Sequence, residues 1–114
     1  MDDDHRIDLG ELPAAGILIA RKLQAAGFNP DTAQTRQVLA LAEEAGEFVG
    51  AYRRWAGEAR RTGTFEEMAD ELADVVITAF VAAAVLRVDM EVVITKKWTV
   101  LHERRWRDPR EGEE

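Results

Sequence analysis

Cysteine is absent from the 114 residues. That excludes disulfides, thiolate zinc sites and a cysteine nucleophile, and it fits a reducing cytoplasm, the location expected for this chain. Proline occurs three times and runs of β-branched residues are short, so little interrupts helix formation. The longest apolar run, Val75 to Leu86, has 12 residues with Thr78 its one polar member, where a membrane span needs about 20. The opening Met1-Asp2-Asp3-Asp4 is acidic and predicts no signal peptide or basic targeting segment. Neither His5 nor His102 follows a glutamate at the Glu-x-x-His spacing of di-iron bundles, which removes that class of site.

What is present is apolar and acidic. Hydrophobic residues make up 46% of the chain, enough for a folded core rather than a disordered tail. The length suits one domain, expected over residues 1–114 with its core at about 13–106 and charged tails at both ends. The net charge of −7 argues against duplex nucleic acid, whose binding rests on basic phosphate contacts. Basic residues are nonetheless grouped. Arg53, Arg54, Arg60 and Arg61 form one set; Lys96, Lys97, Arg104, Arg105, Arg107 and Arg110 form another. The first set reads chiefly as solvated helix ends. Local positive patches of this kind can also meet a small anion.

Punctuation divides the chain into four helices. Pro13 suits a first turn and Gly27 the residue after a last turn, which predicts a helix from Pro13 or Ala14 to Ala26. Asn29-Pro30 is a break, and Asp31 with Gln34 three residues on predicts the cap of a second helix running to about Ala56. Val38, Leu41, Ala45, Phe48 and Tyr52 follow its three-four spacing and predict the buried stripe. Thr64 with Glu67 predicts the start of a third helix, Phe65 to about Arg87, and Asp89 caps a fourth, Met90 to Trp106. The third helix is apolar on every side from Val75 onward, so it must be covered all round. The expectation is an all-α, four-helix antiparallel bundle that oligomerises through that helix as a homodimer or homotetramer.

Two acidic motifs carry the chemistry. At about 100° per residue, with Leu41 at the centre of the stripe, Glu44 falls roughly 60° and Glu47 roughly 120° to one side. Glu44 thus stands at the core border, where a carboxylate is costly unless a positive charge meets it. On the third helix, with Leu72 facing the core, Glu67, Glu71 and Asp74 share the opposite arc, and Asp74 borders the apolar segment. The residues alone leave two readings open. Acidic pairs at i, i+3 are ordinary solvated faces, but two pairs on successive helices also offer the oxygen ligands preferred by hard cations such as Mg²⁺.

The pattern Leu41-Ala42-Glu43-Glu44-Ala45-Gly46-Glu47-Phe48, a spacer, then Asp70-Glu71-Leu72-Ala73-Asp74-Val75-Val76 resembles that of the MazG-like nucleotide pyrophosphohydrolases, an all-α NTP pyrophosphatase group. The likeness spans about residues 34–106, and Lys97, Arg104 and Trp106 fit the family's spacing on the fourth helix. The resemblance implies hydrolysis of (deoxy)nucleoside triphosphates to the monophosphate and pyrophosphate, with Mg²⁺ (Mn²⁺ as a substitute), in a dimer or tetramer and without a membrane. It implies Glu44, Glu47, Glu71 and Asp74 as metal ligands, Glu43 as a further catalytic, water-orienting carboxylate, and Lys97 and Arg104 as phosphate-binding residues. Leu101 departs from the family, which often has Asn there. A non-catalytic helical interaction module of the same fold, and a phosphoribosyl-nucleotide pyrophosphohydrolase, are the competing functions. Trp98 reads as a buried bundle residue or as a base-stacking one.

Overall fold

The computed structural model describes residues 5–104. Four α-helices follow a short 3-10 turn at Leu9–Glu11: α1 Leu12–Ala25, α2 Ala33–Trp55, α3 Phe65–Leu86 and α4 Met90–Glu103. The expected end of α4 at Trp106 and the C-terminal tail lie outside the described residues.

Local chemistry sets most helix ends. The Thr64 hydroxyl accepts from the Glu67 amide at 3.1 Å while the Glu67 carboxylate accepts from the Thr64 amide at 3.4 Å, a reciprocal cap that satisfies two otherwise unpaired donors of α3. Asp89 accepts from the Val92 amide at 3.2 Å and starts α4. After α1, Gly27 adopts φ +95°, a conformation costly for a side chain with Cβ. There it lets the Gly27 and Phe28 amides turn back to the Gln24 and Leu23 carbonyls. The start of α2 differs from expectation. Asn29, not Asp31, is the capping residue: its side chain accepts from the Asp31 amide at 2.9 Å and opens a 3-10 turn at Pro30–Thr32 before α2 begins. Proline cannot donate, so the local hydrogen bond reaches past Pro30 to the next amide.

α3 is the central element, with α1 and α2 packed against it. Gln34 near the start of α2 donates to the Val85 carbonyl near the end of α3 at 3.5 Å, while Glu44 meets Glu71 further along, so these two helices are antiparallel. Gly16 of α1 lies on the α3 backbone: an added Cβ would stand 2.4 Å from the Phe80 oxygen. Leu12, Gly16, Ala51, Val81, Ala82 and Ala83 are buried at these crossings. Small residues let the helix backbones approach closely, which is how a thin core is filled here.

The buried stripe of α2 is rotated from the one its apolar spacing suggests. Val38, Ala45 and Tyr52 are exposed, while Gln37, Leu41, Glu44, Phe48 and Ala51 are buried or half-buried. On α3 the matching row is Met68, Glu71, Val75, Thr78, Ala82 and Val85. Leu72, expected at the core, is 45% exposed, and Glu71 faces inward instead. Asp74 is exposed rather than entering burial. Both rows alternate three and four residues, the seam of two packed helices. α2 has two apolar faces, and the one that meets α3 is the one carrying Gln37 and Glu44.

α4 departs furthest from a closed four-helix bundle. It makes hardly any contact with the other helices, and every residue from Glu91 to Val100 is exposed. Trp98 is 63% exposed and lies 5.8 Å from the His102 ring in the same helix, so it is not a buried bundle residue within this chain. The helix has too few inward neighbours to bury its Val92, Val93, Ile94 and Val100 side chains. The Cα radius of gyration is 17.9 Å, against about 13 Å for a compact domain of this length. Among the described residues no large side chain is fully buried. Among the described residues no helix is long and apolar enough to cross a membrane.

Candidate metal centre

The rotated seam brings acidic side chains together. One carboxylate oxygen from each of Glu44, Glu47 and Glu71 lies within 4.8 Å of the others. Glu44 and Glu47 are one turn apart on α2, and Glu71 faces them from α3. Glu44 and Glu71 are half-buried, and each has one oxygen, Oε2, that is buried with no hydrogen-bond partner.

Such an arrangement is electrostatically unfavourable by itself. Burial raises the Glu44 carboxyl above its ordinary value, and the charges of Glu47 and Asp74 raise it further. Burial likewise raises Glu71, again with Glu47 and Asp74, while the Arg54 guanidinium works in the opposite direction. Buried polar atoms are rarely left unpaired, and like charges raise each other's proton affinity. A divalent cation relieves both penalties, since a hard cation takes several carboxylate oxygens. The donor set, oxygen only, fits Mg²⁺ or Mn²⁺ rather than a structural zinc site.

A pocket of about 470 Å³ opens beside the cluster, lined by Glu43, Gly46, Glu47, Gly50, Arg54 and Glu71. Gly46 has open space where a Cβ would stand, and a Cβ on Gly50 would approach an Arg54 guanidinium nitrogen to 3.3 Å. The two glycines bare the α2 surface between the carboxylates and the arginine.

Arg54 is the site residue that sequence reasoning missed, having been grouped with solvated helix ends. Its neighbour Arg53 does behave so, donating to the Glu58 carbonyl at 3.3 Å. Arg54 is half-buried at the pocket, and its carbonyl accepts from the Gly57 and Gly63 amides at 3.3 and 3.2 Å. The loop between α2 and α3 thus fastens the arginine's backbone. The available signal was spacing: Arg54 follows Glu47 by seven residues, two turns on the same face.

The remaining expected residues distribute unevenly. Glu43 is exposed and lines the pocket. Asp74 acts on Glu44 and Glu71 through its charge but lies outside the three-oxygen group. Glu67 is used in the α3 cap. Lys97 and Arg104 belong to the exposed α4 and its end, and neither lines the pocket. Leu101, where the family often has Asn, is half-buried.

An acidic cluster of this kind on two antiparallel helices, faced by an arginine, marks a helical domain whose carboxylates could hold a divalent cation. The chain belongs to the MazG nucleotide pyrophosphohydrolase domain family, whose model matches residues 32–107. No curated protein and no solved structure matches it.

Proposed function

We propose that the chain hydrolyses (deoxy)nucleoside triphosphates to the monophosphate and pyrophosphate, with Mg²⁺ held by Glu44, Glu47, Glu71 and Asp74, and that it serves to clear the nucleotide pool. The observation that carries this reading is the convergence of Glu44, Glu47 and Glu71, two of them with a buried, unpaired oxygen. Family membership supplies the reaction class.

Bound Mg²⁺ would polarise the phosphoryl oxygens and make a coordinated water more acidic. The chain's own groups do the rest. Glu44 and Glu71 set the depth of the site from the two sides of the seam, and Glu47 and Asp74 complete its acidic ring. Glu43, at the pocket mouth, accepts a hydrogen bond from the attacking water and orients it. Arg54 stands across the glycine gap, where it meets negative charge growing on the departing pyrophosphate.

Lys97 and Arg104 extend this reading to assembly. α4 stands apart from the pocket of its own chain, and exposed apolar residues line both it and the outer face of α3. Apolar surface of that extent marks an interaction face. In a homodimer or homotetramer, α4 packs on a second copy and brings Lys97 and Arg104 to that copy's substrate phosphates.

The test is a panel of NTPs and dNTPs with Mg²⁺, scored for pyrophosphate and for orthophosphate. Pyrophosphate release is expected. Glu47→Gln should abolish turnover with helicity retained, and Arg54→Gln should lower kcat more than it raises KM. Orthophosphate as the first product, or no turnover together with no Mg²⁺ binding, would sink the proposal. Mg²⁺ binding without turnover would identify the non-catalytic module instead.

A further inference from the structure

The seam between α2 and α3 continues past the acidic cluster. Gln37 precedes Glu44 by seven residues and lies on the same face of α2, about 10 Å away along the axis. A second cavity of about 470 Å³ opens there between α1, α2 and α3. Arg21, Arg36 and Arg87 line it, and no Asp or Glu does. In a chain of net charge −7 that concentration of one sign is unexpected, and a cleft lined by one sign of charge attracts a small counter-ion.

We propose that this cavity is a binding site for a small phosphate-bearing anion, separate from the carboxylate cluster. Two further observations point to a ligand. Gln37 is only 6% exposed, and among the described residues its side-chain amide makes no hydrogen bond. It lines the cavity, its polar atoms are not sealed from solvent, and an amide can make up to four hydrogen bonds, so this one is open to a group bound there. Arg36 is the second. Its Nε is buried without an acceptor, although the same guanidinium is held in place. One terminal nitrogen donates to the Asn29 carbonyl and the Thr32 hydroxyl, both at 3.2 Å, and the group lies 4.9 Å over the Phe28 ring.

The arginine is therefore positioned in advance with a donor unspent. A water could satisfy the amide, but it leaves the positive charge uncompensated. A phosphate answers all three features. Its oxygens accept from several donors at once, and two of them match the planar guanidinium fork. The volume falls within the range of small-molecule sites and has room for more than inorganic phosphate. The proposal does not depend on the pyrophosphohydrolase reading, since it requires no metal and none of the carboxylates.

The experiment is an NMR titration of the isotopically labelled full chain in EDTA. Inorganic phosphate, pyrophosphate and a deoxynucleoside monophosphate are added in separate arms. Shifts of the Gln37 side-chain amide and of Arg21, Arg36 and Arg87 are expected in at least one arm. Tightest binding by the monophosphate assigns a nucleotide, and equal binding by phosphate assigns the phosphate alone. The variant Arg21→Gln/Arg87→Gln, at two exposed positions, should weaken binding at least tenfold with helicity unchanged. Glu71→Gln should leave it unchanged. No shift in any arm, shifts confined to residues 43–54, or unaltered affinity in the double arginine variant would overturn the proposal.

Discussion

Gly16→Ala probes the contact on which the α1–α3 packing rests. The new Cβ would stand 2.4 Å from the Phe80 oxygen, 2.6 Å from its carbonyl carbon and 3.1 Å from the Val81 nitrogen. These are backbone atoms of a helix, so no side chain can swing aside. The two helices must move apart by roughly 0.6 Å to reach even a tight contact, and overpacking of this kind costs about 1–3 kcal/mol. Ala in a helix interior is otherwise better than Gly by up to about 1 kcal/mol. Gly46→Ala supplies the control, because nothing lies within 4 Å of a Cβ there. Gly46→Ala should therefore be neutral to stabilising, and Gly16→Ala less stable than Gly46→Ala by about 1–3 kcal/mol. Urea unfolding at one fixed protein concentration reads the difference, since the proposed assembly would make stability depend on concentration. Equal stability of the two variants would refute the close crossing of α1 on α3.

The acidic cluster predicts a definite pH response. Glu44 and Glu71 have raised proton affinity in the fold, so the stability they lend is complete below their ordinary value of 4.5 and is lost as pH rises through their raised values. A divalent cation must displace those protons. Stabilisation by Mg²⁺ in thermal melts, measured against EDTA, should therefore grow with pH from about 4.5 toward neutrality, the window set by linked deprotonation. A Mg²⁺ effect that is flat or falling over that window would contradict the assignment. Val76→Asp tests the outer face of α3. Val76 is exposed within the chain, so the variant should keep its helicity but lose assembly, seen as a smaller mass by light scattering. An unchanged mass would place the interface elsewhere. Val81 cannot serve as this reporter, because it is buried between helices of one chain.

What the sequence determined by itself is what short-range chemistry controls. Thr64 and Glu67 start α3, Asp89 starts α4 and Gly27 ends the turn after α1, each through bonds spanning a few residues. The Glu43–Glu47 and Glu71–Asp74 motifs are legible for the same reason: i, i+3 spacing fixes side chains on one helix face. Which face of α2 turns inward was not legible. Val38, Ala45 and Tyr52 make as good an apolar stripe as Gln37, Glu44 and Ala51, and by hydropathy a better one. The tertiary structure chose the second, because close packing of Ala51 on α3 and the convergence of Glu44 with Glu71 depend on both helices at once. That choice turned Glu71 inward and Leu72 outward, recruited Arg54 from a charged helix end, and put Gln37 at the wall of a basic cavity. Each is a relation between residues far apart in the chain, and no local spacing encodes it.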